Sequence, residues 1–319
     1  LAANNPKTDS VFPSNSPPIS ASAHSSPSSP RYFNYVSVSF VKDFCSFQNA
    51  DFNDEGNLSK NFDNISFYAE EINRFFQKFY YTDIILFKKI NPPQKSKSES
   101  DSFTHPVDDS AVNAVLNLLF SGDFSVRYHR GVEIEAANEN ILHNLIRKER
   151  AKTDFLAVRS GDEKVIRAAV EAENVDFIFP VSFSPGQSGD LHMSAGPINH
   201  IVAKFAAEKK TAFCFDFFPF LHVIGSYRNK LFSDCMSMIP ILRKYKVPIV
   251  LTGGAFFVYD FRGPYELEAF GRLLGLTQSE TTAAVSQNPF EIAEYRRKIK
   301  SKIYLGNGVE LVEENESSD

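Results

Sequence analysis

Between residues 131 and 181, short apolar bursts alternate with stretches of helical spacing. The bursts are Gly131-Val132-Glu133-Ile134-Glu135-Ala136, Thr153-Asp154-Phe155-Leu156-Ala157-Val158-Arg159-Ser160-Gly161-Asp162 and Val175-Asp176-Phe177-Ile178-Phe179-Pro180-Val181. Each is rich in Val, Ile and Phe and lacks strict alternation, which is how strands buried on both faces read. Residues 139–152 carry Ile141, Leu142, Leu145 and Ile146 on one helical face, and residues 163–173 carry Val165, Ile166, Ala169 and Val170. Strand, helix, strand, helix, strand at this pitch predicts two βαβ units and therefore a parallel sheet.

The same reading extends to both sides. It predicts strands over 32–40 and 82–87, helices over 65–79 and 111–120, and a third strand over 126–135 leading into the central units. A long loop over 182–194, with glycines at 186 and 189, should follow the fifth strand. Then come a helix (197–209), a strand (211–217), a helix (230–245), a strand (247–252) and a helix opened by Gly263-Pro264 and running to 274. Thr277 with Glu280, and Asn288 with Glu291, have the spacing of N-caps with an acidic third position. Residues 303–312 read as a short strand.

Seven parallel strands, each followed by a helix, predict a TIM-like (β/α) barrel with an irregular or missing eighth strand. A doubly wound open sheet is the alternative, but no Gly-x-Gly-x-x-Gly turn follows the first strand, which weighs against dinucleotide binding. Residues 31–312 read as one domain carrying polar insertions near 42–62 and 91–110. Residues 1–30, dominated by Ser and Pro, read as a disordered tail, and 313–319 as an acidic one.

Composition narrows the picture. Apolar residues make up 43% of the 319, with 31 Phe and no Trp, enough for a large core. The three cysteines, Cys45, Cys214 and Cys235, lack metal-like spacing and read as buried thiols of a reducing compartment. No apolar run is long enough to span a membrane, so a soluble cytoplasmic chain is expected. A net charge of −5 argues against gripping nucleic acid over the whole surface. Two basic runs stand out against it, Arg147-Lys148-Glu149-Arg150 and Arg296-Arg297-Lys298-Ile299-Lys300-Ser301-Lys302. Such runs are usually solvated helix faces, but two of them in an acidic chain mean segregated charge.

Several stretches, in order and spacing, resemble the archaeal protein component 3 family of ribonuclease P, counterpart of the eukaryotic p30 subunit. Asp154 to Val170 (DFLAVRSGDEKVIRAAV) is the strongest, supported by Gly131–Ala136, by residues 200–208 and by Tyr227-Arg228-Asn229-Lys230. Residues 242–252, 260–267, 288–292 and 308–312 fit as well. The resemblance implies a barrel related to the polymerase and histidinol phosphatase superfamily, whose metal-dependent phosphoesterases need a His-x-His on the first strand and further His and Asp at later strand ends. Here no His-x-His occurs. The corresponding ends read Val36-Ser37-Val38-Ser39, Phe87-Lys88-Lys89 and Thr252-Gly253-Gly254-Ala255, with Glu133 and Glu135 the acidic residues left on the third strand. The resemblance therefore implies no catalytic or metal-binding residue in this chain and no cofactor of its own.

It implies instead a subunit supporting removal of the 5′ leader of precursor tRNA, with Mg²⁺ at the RNA subunit. The implied partners are ribonuclease P RNA, protein component 2 in a two-plus-two heterotetramer, the other protein components and precursor tRNA. The rival readings are a metal-dependent phosphoesterase of the parent superfamily and a non-catalytic protein-interaction barrel. As RNA contacts the sequence offers Arg159 at a strand end beside Asp162, Lys164 and Arg167 on the helix after it, Arg228 and Lys230 in a loop beside Tyr227, and Arg262 before a helix start. Blander roles compete: Asp162 as an N-cap, Lys164 and Arg167 paired with Glu163 or Glu171, and His192 and His200 as surface histidines flanking the long loop.

Overall fold

The computed structural model describes residues 31–37, 40, 41, 44, 58–90, 110–185, 191–195, 198–300, 304–306 and 309–310. The predicted N-terminal tail, most of the first insertion, residues 91–109 of the second, Cys45 and the acidic tail lie outside them.

The chain opens with β1 (Tyr32–Ser37), α1 (Leu58–Lys78), β2 (Tyr81–Ile90), α2 (Ser110–Ser121) and β3 (Arg127–Glu135). Next come α3 (Glu139–Glu149), a 3₁₀ turn (Arg150–Lys152), β4 (Phe155–Arg159), α4 (Glu163–Glu171) and β5 (Phe177–Phe179). A hairpin of β6 (Val181–Pro185) and β7 (Leu191–Ala195) precedes α5 (His200–Lys209) and β8 (Ala212–Asp216). Then follow α6 (Phe218–His222), α7 (Gly225–Lys244), β9 (Ile249–Thr252) and a 3₁₀ turn (Val258–Asp260). Helices α8 (Pro264–Leu273), α9 (Gln278–Val285) and α10 (Gln287–Lys300) complete the barrel, and β10 (Tyr304–Gly306) pairs with β11 (Val309–Glu310).

Seven strands form one sheet in the order β1-β2-β3-β4-β5-β8-β9, and every pairing in it is parallel. Two-sided burial explains the unbroken apolar bursts. Phe155, Ala157, Phe177, Phe179, Ala212 and Cys214 pack with Phe33, Tyr35 and Phe87 inside the barrel. Their neighbours Leu156, Val158, Ile178, Phe213 and Phe215 pack outward with the helices. The interior is crowded with rings: Tyr35 stacks on Phe87 at 4.1 Å between centroids. Gly131 of β3 belongs to this crowding, because a Cβ there would meet Ile85 Cγ2 at 2.8 Å.

The barrel is nearly closed. Past Thr252 the chain bonds to β1 one residue out of step, Gly254 N to Tyr35 O at 3.1 Å and Ser37 N to Ala255 O at 3.0 Å. Side chains complete the seam: Thr252 Oγ1 donates to Asn34 Oδ1 at 3.0 Å, and Gly253 N donates to the same oxygen at 2.9 Å. This is the irregular closure expected in place of an eighth strand.

At the N-terminal ends of the strands, α10 forms a floor. Ile292 and Ala293 join the interior cluster, with Phe290 packed against it. Asn288, expected as an N-cap, lies inside α10, and its amide donates to Ile249 O at 2.7 Å. The Thr277–Glu280 capping box forms as its spacing predicts. Several boundaries differ from the sequence reading. Strand β2 runs on to Ile90, α6 is not among the predicted helices, and the stretch read as one strand over 303–312 holds the β10–β11 pair. Helix α1 begins at Leu58, α7 at Gly225 rather than 230, and the predicted 182–194 loop contains the β6–β7 hairpin. Val181-Ser182-Phe183-Ser184 alternates as a hairpin strand should, and residues 186–190, with both glycines, lie outside the described residues. Cys214 and Cys235 are buried thiols. Among the described residues no helix is long and apolar enough to cross a membrane.

Candidate functional site

Ligands of α/β barrels bind at the C-terminal ends of the strands. There β3 brings Glu133, β4 brings Arg159 and β8 brings Asp216 to one point inside the barrel. Arg159 grips Glu133 with two parallel bonds, Nε to Oε1 at 2.9 Å and Nη2 to Oε2 at 3.1 Å. It also donates from Nη2 to Asp216 Oδ2 at 2.9 Å and from Nη1 to Val181 O at 2.9 Å. Its guanidinium lies over the Phe179 ring, 4.4 Å from the centroid. All three side chains of the cluster are at most 2% exposed.

The electrostatics follow from this burial. Burial works against the charge on Arg159, but Asp216 and Glu133 outweigh it and hold the guanidinium protonated. Burial pushes the Asp216 carboxyl above its ordinary range even though Arg159 pulls the other way. Tyr35 and Cys214 beside them are likewise raised by burial, and the Tyr35 hydroxyl is buried without a hydrogen-bond partner. Nearer the rim, Lys89 pairs with Glu135 at 2.6 Å, and Ser182 Oγ donates to Glu135 Oε1 at 2.9 Å.

This donor set does not fit the di- or trinuclear metal centre of the phosphoesterase superfamily. The two carboxylates that face each other are already held by a guanidinium, and β1 (Tyr32–Ser37) carries no histidine. Among the described residues no group of three or more His, Cys, Asp or Glu converges to hold a metal.

The expected RNA contacts fall into three situations. Arg159 is a correction: at 1% exposure, with its fork bonded to carboxylates and a carbonyl, it is an internal cation and not a phosphate contact. A basic residue at a strand end reads the same from sequence whichever way its side chain is used. Lys164, Arg167 and Lys230 are exposed, with Arg167 paired to Glu171 at 2.8 Å and Lys230 to Asp234 at 2.6 Å. Asp162 caps α4 by accepting from Lys164 N and Val165 N.

Arg228 and Arg262 are half-buried and spent on backbone. Arg228 Nε donates to Val223 O at 2.5 Å, and Arg262 Nη1 to Tyr259 O at 2.8 Å and Phe261 O at 2.7 Å. Arg228 and Lys230 stand on a helix, not a loop. Two residues apart, they point about 200° away from each other around it and share no face. His200 is exposed on the first residue of α5.

Sequence reasoning missed three polar knots. His222 meets Asp260 at 3.0 Å and lies 4.3 Å from the Phe218 ring, tying the segments after β8 and β9 together. Asp83 in β2 takes Arg127 at 2.9 Å and His129 at 3.0 Å, and these bonds overcome burial to lower its pKa. Asp176, just before β5, takes Arg150, Arg296 and the backbone N–H of Leu156. For Asp83 and Asp176 a signal existed: an aspartate inside an apolar strand burst must be paired, and basic residues were available nearby or on the second basic run.

Fold and mouth together define a parallel α/β barrel whose strand-end centre is filled by an internal ion-pair cluster. A profile of the family described as RNase P subunit p30 matches residues 68–301, and the chain belongs to that family. Ribonuclease P protein component 3 of Methanococcoides burtonii is 37% identical over 188 residues, 59% of this chain and 73% of that protein. Its namesake in Methanosarcina mazei is 36% identical over 184 residues, 58% and 72% of the two chains. In fold, the chain matches one chain of the cryo-EM structure of archaeal ribonuclease P with mature tRNA. That match has a TM-score of 0.55 at 20% identity and covers 77% of this chain and 95% of the other.

Proposed function

We propose that this chain is a protein subunit of ribonuclease P, supporting endonucleolytic removal of the 5′ leader of precursor tRNA. The observation that carries this reading is the p30 family match across residues 68–301, which spans β2 to the end of α10. In this reading the RNA subunit and its Mg²⁺ carry the chemistry, in the cytoplasm. The mouth of the barrel supports that division of labour: its charged groups are bonded to one another, and a reacting phosphate would have to displace Arg159 from two carboxylates to reach them. The protein's share is to hold the RNA in its active shape and offset phosphate repulsion.

Protein component 2, in a two-plus-two assembly with this chain, and the other protein components complete the proposed particle. An apolar docking patch suits such a partner, and Ile224 and Tyr259, each 75% exposed near the strand ends, support one on that side. The test is reconstitution of ribonuclease P RNA with its proteins, with and without this chain, following precursor-tRNA cleavage at low Mg²⁺. Addition should raise the rate. An unchanged rate and no binding to the RNA would leave a protein-interaction barrel unrelated to RNA, whereas phosphate-ester hydrolysis by the isolated chain with bound zinc or manganese would favour the phosphoesterase reading.

A further inference from the structure

The two basic runs, far apart in sequence, end at the same place. Arg150 follows α3, and Arg296 lies in α10; both donate to the carboxylate of Asp176, which is 1% exposed. Arg150 Nη1 sits 2.8 Å from Oδ2, while Arg296 Nε takes Oδ1. Two guanidiniums thus share one buried carboxylate, with the charge of Asp154 also acting on Arg150. Burial lowers the Arg150 pKa, and the neighbouring Arg296 adds to the lowering. Arg296 and Arg297 also line a cleft of about 190 Å³ with His129, Asp154 and Phe155. All of this lies at the N-terminal ends of the strands, the end opposite the Arg159 cluster.

Basic residues in a helix's last turn answer the helix dipole, an effect of about 0.3–1 kcal/mol. That accounts for Arg147 and Lys148 at the end of α3. It does not account for two arginines drawn from separate elements onto a single acid. Close to them in the chain, Lys148, Lys152 and Arg297 are exposed. Lys152 and Arg297 do pair with Glu149 at 3.6 Å and Glu294 at 2.6 Å, but surface pairs this close in sequence are worth little and exchange readily for another anion. The exposed aromatics Tyr227 and Tyr259 lie beyond the strands' other ends, while Tyr80, 68% exposed, immediately precedes β2 at this one. Exposed lysines and arginines supply the phosphate contacts that dominate nucleic-acid affinity.

We propose that the N-terminal end of the barrel, where the two basic runs meet over Asp176, is the surface on which this subunit takes an RNA phosphate backbone. The assignment rests on the ribonuclease P reading above and moves the contact away from the strand-end loops. The test uses the full chain and a transcript of archaeal ribonuclease P RNA, with affinity followed across a salt titration. A Lys148→Ala/Lys152→Ala/Arg297→Ala variant removes three exposed cations and should keep its thermal midpoint. Its log–log salt slope should be shallower by about three, and its affinity at moderate salt lower on the order of tenfold.

The comparison variant, Arg228→Ala/Lys230→Ala at the opposite end, should bind as the parent does. If the triple variant keeps slope and affinity while the double loses them, the surface is wrong and the subunit assignment stands. If the parent chain fails to bind the transcript with its companion proteins present, both fall.

Discussion

Arg159→Met tests whether the barrel depends on its internal cation. Methionine keeps much of the side-chain length and removes the fork, so Glu133 loses two hydrogen bonds, and Asp216 and Val181 O lose one each. Breaking a buried pair from one side costs about 3–5 kcal/mol, and two carboxylates abandoned at once put the loss at the upper end. Against a typical total of roughly 5–15 kcal/mol, the variant would sit near the edge of folding at neutral pH. Acidification should restore it. Asp216 is already raised above its ordinary 3.8 by burial, and removing Arg159 takes away the group that holds it down. A carboxyl whose folded pKa exceeds its unfolded one binds more protons in the native state. Stability therefore climbs as pH falls through that window. Urea unfolding followed by circular dichroism at neutral pH and near pH 5 gives both numbers. Adding Glu133→Gln and Asp216→Asn should recover most of the loss, since no buried charge then lacks a partner. A cost below about 1 kcal/mol for the single variant, or a triple variant no more stable than the single, would refute the reasoning.

Two further substitutions probe the frame. Glu280 closes the α9 capping box and accepts two bonds from Arg243; those bonds first, then the cap, lower its pKa from 4.5 to about 2. Its contribution is complete above the unfolded value and fades as pH drops toward the folded one. Glu280→Gln should cost about 1 kcal/mol at neutral pH after screening is allowed for, and the difference from the parent should vanish in urea melts near pH 2. Gly254 sits at φ +59° with Asp216 Cβ only 2.9 Å from where its own Cβ would be. Gly254→Ala should lower stability by about 1–3 kcal/mol by straining the seam and pushing on Asp216, and an unchanged urea midpoint would count against the described closure.

The seven-stranded parallel barrel was legible because two-sided burial writes itself as unbroken apolar runs, and Asp154 to Val170 carried the family resemblance as well. The seam was not legible: it depends on Asn34 and Thr252, 218 positions apart, whose polar side chains say nothing of each other. Arg159 was found and misread. Its partner Glu133 lies 26 residues back and Asp216 57 ahead, and only the strand register brings them together. The basic runs were visible as segregated charge, yet that they share one end of the barrel is decided by Asp176, an acid in an apolar burst that sequence reading passed over. The β6–β7 hairpin was missed because two glycines outweighed a clear alternation on either side of them.

The seam also has a history during synthesis. At roughly 5–20 residues per second, the ribosome needs about ten to forty seconds to go from Asn34 to Thr252. Throughout that interval β1 can be sheltered by β2 on one flank only, and its other flank is a bare row of amides and carbonyls waiting for a strand not yet made. Nascent chains crowded on one message are the nearest source of a wrong strand, so slower initiation or a chaperone that masks the leading segment should raise the yield of folded protein.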